Sequence, residues 1–131
     1  MTTALLLALA ACAREPEPHA TELGDFRATL AAAPDTLAGG SASADALVER
    51  WARALRMVDT AELRRMAVTR AEFAYLVYPS SPIARPPYDL PPALMWMQLE
   101  SNSGKGLRDV LRKRGGEPLA LIRFQCDAPE R

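Results

Sequence analysis

The sequence is poor in the residues that build metal centres and nucleophilic sites, with two cysteines and one histidine among 131 residues. Cys12 and Cys126 are far apart, so no set of cysteine and histidine ligands can close around a structural zinc ion. We therefore expect no metal and no cofactor. His19 lies between Pro18 and Ala20 in a stretch rich in proline and glutamate. This context favours a solvated linker residue over a positioned catalytic base.

An excess of charge of either sign is also missing, because sixteen basic and sixteen acidic side chains cancel. A nucleic-acid binder normally carries a basic surplus that neutralises phosphates, so we expect no nucleic-acid partner. The same balance, with a hydrophobic content of 49%, argues against an acidic disordered chain. Length and composition together predict one globular domain with a modest core.

Long apolar runs are absent apart from residues 4–11, which end at Cys12. A membrane-spanning helix needs about 20 apolar residues, whereas this run has the length of the apolar region of a signal peptide. No lysine or arginine precedes the run, and a polar, proline-bearing stretch begins at Ala13. The pattern predicts a leader segment followed by a polar tether.

The residues Leu9-Ala10-Ala11-Cys12 resemble the lipobox of bacterial lipoproteins, in which an aliphatic and two small residues precede a cysteine. The resemblance implies that residues 1–11 are a signal peptide and that Cys12 is lipidated and becomes the first mature residue. It also implies a membrane-anchored envelope protein facing the periplasm, at the outer membrane if the organism has one. The alternative is a cytosolic helical protein whose residues 4–12 form a first helix, with Cys12 buried.

Residues 12–44 are expected to be a flexible tether, since Glu-Pro pairs and a Gly-Gly-Ser segment seldom bury enough surface to become ordered. Within it, Leu23, Phe26 and Leu30 recur at helical spacing over 22–32, which predicts a short docking helix. The folded domain is expected over residues 45–131.

Periodicity and capping residues predict the first helices of this domain. An amphipathic helix of about four turns, capped by Ser43 or Asp45, is expected to bury one apolar face. That face consists of Leu47, Val48, Trp51, Leu55 and Val58. Asp59 and Thr69 each precede a glutamate by three positions, an arrangement that caps two further helices near 60–67 and 70–77.

The remaining elements follow a segment punctuated by prolines. Pro91 suits the first turn of a helix that is apolar on most sides, which predicts a central position for it. Ser103 is expected to cap another helix, which ends at Gly115-Gly116. Alternation over Pro118–Cys126 predicts a half-buried strand, in which Cys126 faces inward as a free, unreactive thiol.

These elements predict a mainly α-helical fold with a minor β element, in which helices pack around a small core and one C-terminal strand follows. The order of helices and strand resembles the opening of the NTF2-like fold, which would make the chain a truncated α+β domain. That resemblance implies, as an alternative function, a pocket enzyme with an Asp, Glu or Tyr as its acid or base.

Two groups of residues are candidate binding sites. Four aromatic residues surround the proline segment: Tyr75, Tyr78, Tyr88 and Trp96. They are expected either to line a groove for a peptide, glycan or small apolar ligand, or to pack in the core. Ser103 and Lys105 mark the expected helix start, where backbone N–H groups contact an anion or form a simple capped turn.

The sequence thus favours a lipid-anchored envelope protein that acts as a small binding or interaction module rather than as an enzyme. Its partners are then the membrane, through the anchor, and an unidentified envelope protein, glycan or small ligand.

Overall fold

A computed structural model describes residues 16–125, which form helices joined by short turns. The helices are α1 (Ala20–Ala28), α2 (Ala44–Arg56), α3 (Thr60–Arg65), α4 (Arg70–Glu72) and α5 (Pro92–Arg114). A π-helical turn, Phe73–Val77, continues α4, and two 3-10 turns, Tyr78–Ser80 and Pro82–Ala84, follow it. The predicted mainly helical class is confirmed. Within residues 16–125 no helix is long and apolar enough to cross a membrane.

Side chains cap the helices at the positions that the sequence predicts. The Ser43 hydroxyl accepts a backbone N–H of the first turn of α2 at 3.1 Å, and Asp59 Oδ1 accepts the Glu62 N–H at 2.9 Å. Thr69 and Glu72 form a complete capping box, with hydrogen bonds of 3.2 and 2.7 Å. Each cap satisfies N–H groups that have no partner inside the helix, so local sequence determines where these helices begin.

The core is organised around Phe73, whose side chain is fully buried. Its ring centroid lies 6.0 Å from that of Phe26, 5.6 Å from that of Tyr78 and 5.4 Å from that of Trp96. Tilted and edge-on ring pairs of this kind add about 0.5–1.5 kcal/mol each to the free energy of apolar burial. Helix α1, the π-helical turn and α5 therefore meet at one side chain.

Helix α1 is an integral part of this core. Leu23 and Phe26 are buried in the Phe73 cluster, and Arg27 donates to the Ala74 carbonyl oxygen at 3.0 and 3.2 Å. The predicted docking helix is present, but it spans Ala20–Ala28 and therefore begins and ends earlier than the predicted 22–32. The segment expected to be a flexible tether up to residue 44 therefore carries folded structure that the core requires.

Residues 37–40 are tied to the helices as well. The Ala38 N–H donates to Glu72 Oε1, and Arg50 Nη1 donates to the carbonyl oxygens of Gly39 and Gly40 at 3.0 and 3.1 Å. A Cβ atom at Gly39 would lie 2.4 Å from the Arg65 carbonyl oxygen. Only glycine permits this close backbone approach, so the Gly-Gly pair is a packing feature rather than a flexible hinge.

Helix α5 runs without a break from Pro92 to Arg114, so the expectation that a new helix begins at Ser103 is wrong. Gly104 and Gly106 each disfavour the helix by about 1 kcal/mol relative to alanine. Tertiary contacts offset this cost at both ends of α5. Near its start Trp96 packs on Phe73, and just beyond its end the Gly116 N–H donates to the Leu55 carbonyl oxygen at 3.2 Å.

The apolar faces of α2 and α5 are less covered than expected. Leu55 is buried, but Trp51 is 42% and Val58 50% exposed. In the first half of α5, Leu94 and Met97 are exposed, so the expectation of a central helix surrounded by protein is wrong. Within residues 16–125, α2 packs mainly on α3 and α5, and neither extends over the outer part of its apolar face.

The expected C-terminal strand is absent from the residues that the structure describes, which end at residue 125. Residues 117–125 form no helix or strand: the Leu119 N–H donates to the Glu117 carbonyl oxygen at 2.8 Å in a tight turn, and Arg56 Nη1 donates to the Leu119 carbonyl oxygen at 2.7 Å. A strand needs a neighbour for its backbone groups, and residues 16–125 supply none. Cys126, expected to face inward from this strand, lies outside the described residues.

Phe73→Ala is expected to lower the free energy of unfolding by about 3–5 kcal/mol, the usual cost of deleting a buried ring. Chemical denaturation of the full chain measures this loss. Tyr88→Ala is the control, because Tyr88 is 69% exposed and its removal leaves the core unchanged. Equal effects of the two substitutions would contradict the central place of Phe73.

Gly106→Ala is expected to raise the free energy of unfolding by about 0.5–1 kcal/mol, because alanine favours helix more than glycine. A Cβ atom added at Gly106 meets no atom within 4 Å. The matched control is Gly115→Ala, whose Cβ would lie 2.4 Å from the Leu111 carbonyl oxygen, so this change is expected to destabilise. Thermal unfolding compares the two variants, and no gain at Gly106 would indicate a helix break there.

Candidate functional site

A groove of about 700 Å³ lies between α5 and the segment that runs from α3 toward α4. The segment contributes Thr60, Arg64, Met66, Ala67 and Val68, and α5 contributes Trp96, Leu99, Glu100, Ser103, Gly104, Leu107, Arg108 and Leu111. Successive α5 residues in this set are three positions apart or adjacent, as expected for one helix face. The groove exists because α5 is continuous through Ser103, which places residues from both of its halves on one wall.

The groove has an apolar bed with a few polar groups along it. Met66 and Val68 are half-buried on one wall, and Leu107 and Leu111 are half-buried on the other. Trp96 closes one end and is held there by its contact with the Phe73 ring at 5.4 Å. An apolar concavity with few polar groups, and a volume within about 300–1,000 Å³, is typical of sites for small molecules.

Two arginines in the groove lining have no acidic partner among the residues that the structure describes. Arg64 on α3 and Arg108 on α5 are exposed and make no ion pair within residues 16–125. An added Cβ at Gly104 would lie 3.5 Å from Arg108 Nη1, so the guanidinium group folds back along the helix over that glycine. Glu100 is the acidic residue of the lining. The two guanidinium groups are therefore available to an anionic ligand.

The four aromatic residues predicted as a possible groove do not line one surface together. Trp96 lines the α3–α5 groove, whereas Tyr78 is fully buried and Tyr88 is exposed in the proline segment. Tyr75 is half-buried under Arg27, whose guanidinium carbon lies 4.6 Å from the ring centroid. For Tyr78 and Trp96 the alternative of core packing is correct, because both rings contact Phe73.

Tyr78 has a structural role. Its hydroxyl donates to the Leu90 carbonyl oxygen at 2.8 Å. Burial, with smaller contributions from the negative charges of Glu22 and Asp89, raises the pKa of Tyr78 to about 12. The group stays protonated near neutral pH and joins the start of α5 to the core.

Ser103 and Lys105 lie inside α5, not at a helix start. Their backbone N–H groups belong to the helix, so the physical basis for the expected anion contact is missing. Ser103 does line the α3–α5 groove, while Lys105 is exposed outside that lining.

Glu72 is a buried carboxylate whose two oxygens accept hydrogen bonds from backbone N–H groups. It accepts N–H groups of Thr69 and Ala38. The hydrogen bond from Thr69 lowers the pKa of Glu72, burial opposes that shift, and the Ala38 hydrogen bond adds to it. Glu72 therefore stays ionised and joins the residues before α2 to the start of α4.

His19 is not the solvated linker residue that its sequence context predicts. Its Nδ1 lies 2.6 Å from Glu22 Oε2, and its Nε2 lies 3.1 Å from both the backbone oxygen and Oδ1 of Asp89. The side chain is 15% exposed. Sequence reasoning missed this cluster because Asp89 is seventy positions away. The sequence did contain one indication of the cluster: Glu22 follows His19 by three positions at the start of a helix, a spacing at which side chains meet.

The pKa of His19 results from opposing effects. Burial lowers it, whereas the hydrogen bond to Glu22 and the negative charges of Asp89 and Glu22 raise it, and the net pKa lies above its ordinary value. The imidazolium joins the beginning of α1 to the residues just before α5. We name the cluster of His19, Glu22 and Asp89 the histidine clasp.

Within residues 16–125, no group of three or more histidine, cysteine, aspartate or glutamate side chains is arranged to hold a metal ion. The chain matches no protein-family model, no curated protein and no solved structure. The geometry of the groove is therefore the basis for a functional proposal.

The histidine clasp is expected to stabilise the fold more at low pH. Because the folded-state pKa of His19 is raised, its contribution is fully present below the unfolded-state value of 6.5 and is lost as the pH rises through the folded-state pKa. His19 has a φ of 49°, which asparagine also tolerates. His19→Asn should therefore destabilise more at about pH 5.5 than at about pH 8.5. Denaturant unfolding at both pH values measures the difference.

The same clasp can be followed directly by NMR, since the chain has one histidine. Glu22→Gln and Asp89→Asn are expected to lower the pKa of His19, and Asp25→Asn on the same helix is the control. An imidazole that titrates at or below its ordinary pKa in the wild type would contradict the clasp.

Proposed function

We propose that this chain is a lipid-anchored protein of the bacterial cell envelope whose helical body is a small binding module. The α3–α5 groove is its binding site. The observation that carries the binding role is the apolar groove of about 700 Å³, whose lining holds two arginines without an ion-pair partner among residues 16–125. The resemblance of Leu9-Ala10-Ala11-Cys12 to a lipobox supports the anchor.

An anchor at Cys12 would hold the body close to the membrane. Pro18 is buried, and Glu17 pairs with Arg27 at 2.8 and 3.0 Å, so the chain is attached to the folded body from residue 17 onward. The five steps from Cys12 to residue 17 span at most about 18 Å. The body would thus lie next to the bilayer and not at the end of a long tether.

The anchor is tested by metabolic labelling with a clickable fatty acid in a bacterial host, followed by membrane fractionation. Cys12→Ala is expected to abolish both the label and the membrane association, because it removes the thiol that is lipidated. Cys126→Ala is the matched control, since it removes the other cysteine and should leave both readouts unchanged. The mass of the labelled chain should show that residues 1–11 are gone.

A soluble, unlabelled wild-type chain of uncut mass would overturn the proposed location. It would favour the alternative in which residues 4–12 form part of a cytosolic helical protein. Label that persists in Cys12→Ala and disappears in Cys126→Ala would also contradict the lipobox interpretation.

A further inference from the structure

We propose that the α3–α5 groove binds a single acyl chain with a carboxylate head group, such as a free fatty acid. This inference deepens the proposed binding role and rests on it. The acyl chain lies along the apolar bed, and the carboxylate is bound by Arg64 and Arg108.

The shape of the groove suits one extended alkyl chain. From Gly104, over which the Arg108 guanidinium lies, its apolar groups follow α5 to Trp96, which is eight residues and therefore about 12 Å away along the helix. Met66 and Val68 face this row from the other wall. An apolar surface that follows one helix in this way buries successive CH₂ groups of one chain.

The charges of the groove select an anion. Arg64 and Arg108 stand on opposite walls, and neither has an ion-pair partner within the described part of the chain. Glu100 reduces the local charge to one net positive unit, which matches a carboxylate better than a doubly charged phosphate. The hydroxyl groups of Thr60 and Ser103 also belong to the lining and are hydrogen-bond donors for the same head group.

Gly104 keeps the space between the head-group site and the apolar bed open. The Arg108 guanidinium passes over this glycine, 3.5 Å from where a Cβ atom would lie. Gly106, two residues along the same helix, has no atom within 4 Å of a Cβ position and is not part of the lining. The two glycines therefore form a matched pair, since a side chain at the first fills the groove and one at the second points elsewhere.

An acyl chain is favoured over an acidic peptide by the position of the body. An anchor at Cys12 would keep the body next to a bilayer, where single-chain acyl anions are concentrated. A peptide backbone would also bring many N–H and C=O groups onto an apolar bed that has few partners for them.

Binding can be assigned to the groove with the two tryptophans of the chain, Trp51 and Trp96. The full chain is made without lipidation by cell-free translation and titrated with doxyl-labelled stearate below its critical micelle concentration. In Trp51→Phe the remaining Trp96 is expected to be quenched. In Trp96→Phe the fluorescence of the remaining Trp51, which lies outside the groove lining, is expected not to be quenched.

Competition with unlabelled amphiphiles tests the head group. Palmitate is expected to compete about tenfold better than hexadecanol, and hexadecyltrimethylammonium is expected to compete least. Arg64→Gln with Arg108→Gln should remove the preference for the acid while leaving the affinity for hexadecanol unchanged. Each CH₂ added to the fatty acid should improve affinity by up to about fourfold until the groove is full.

Substitutions at Gly104 and Gly106 test whether the acyl chain binds in the α3–α5 groove. Gly104→Leu is expected to weaken binding at least about tenfold, whereas Gly106→Leu should bind as the wild type does. Circular dichroism and thermal unfolding check that both variants are folded.

Quenching of Trp51 in place of Trp96, equal affinity for acid and alcohol, or equal effects of the two leucine variants would each overturn the proposal. A dimer that Gly104→Leu abolishes, with no acyl binding, would assign the groove to a second copy of the chain. An acidic apolar peptide that binds where palmitate fails would assign it to a protein partner. These outcomes are independent of the Cys12 labelling, so a labelled, membrane-bound chain that binds no fatty acid would overturn only the acyl ligand.

Discussion

The burial of the Phe73 ring is the constraint on which the rest of the structure depends. In a chain of 131 residues a single core must offset the conformational entropy of folding, and here that core is small. The ring contacts aromatic side chains of α1, of the first 3-10 turn and of α5. It lies in a π-helical turn, in which one extra residue per turn redirects side chains relative to an ordinary helix. The path of the chain on either side follows from this convergence.

Hydrogen bonds and ion pairs attach segments with little apolar surface to this core. The carboxylate of Glu72 joins the residues before α2 to the start of α4, and the histidine clasp joins the start of α1 to the residues before α5. Each of these contacts places a charged side chain against backbone groups or an opposite charge, which makes a partly buried ionised group tolerable. Short connections that the composition alone marks as flexible are thereby included in the fold.

The groove is a consequence of how α5 is held. Its first turns are attached to the Phe73 core, and its end is attached to α2 through Gly116 and Leu55. Between these attachments the helix passes α3, which has only six residues and does not fill the space beside it. A continuous α5 is therefore both the element that completes the fold and one wall of the proposed binding site. The arginines on this wall and on α3, which have no ion-pair partner among residues 16–125, are the basis of the anionic ligand proposed for the site.

The sequence by itself determined the local features: the caps at Ser43, Asp59 and Thr69, the docking helix around Phe26, and the mainly helical class. These depend on residues within one or two turns of each other, whose spacing is visible in the chain. Only the tertiary structure decided that α5 is unbroken, that α1 belongs to the core, that His19 is clasped by Asp89, and that Arg64 and Arg108 share a groove. Each of these features depends on contacts between residues far apart in the sequence. The free energies of those contacts exceed the local preferences of glycine and proline, which had indicated a break in α5 and a flexible tether.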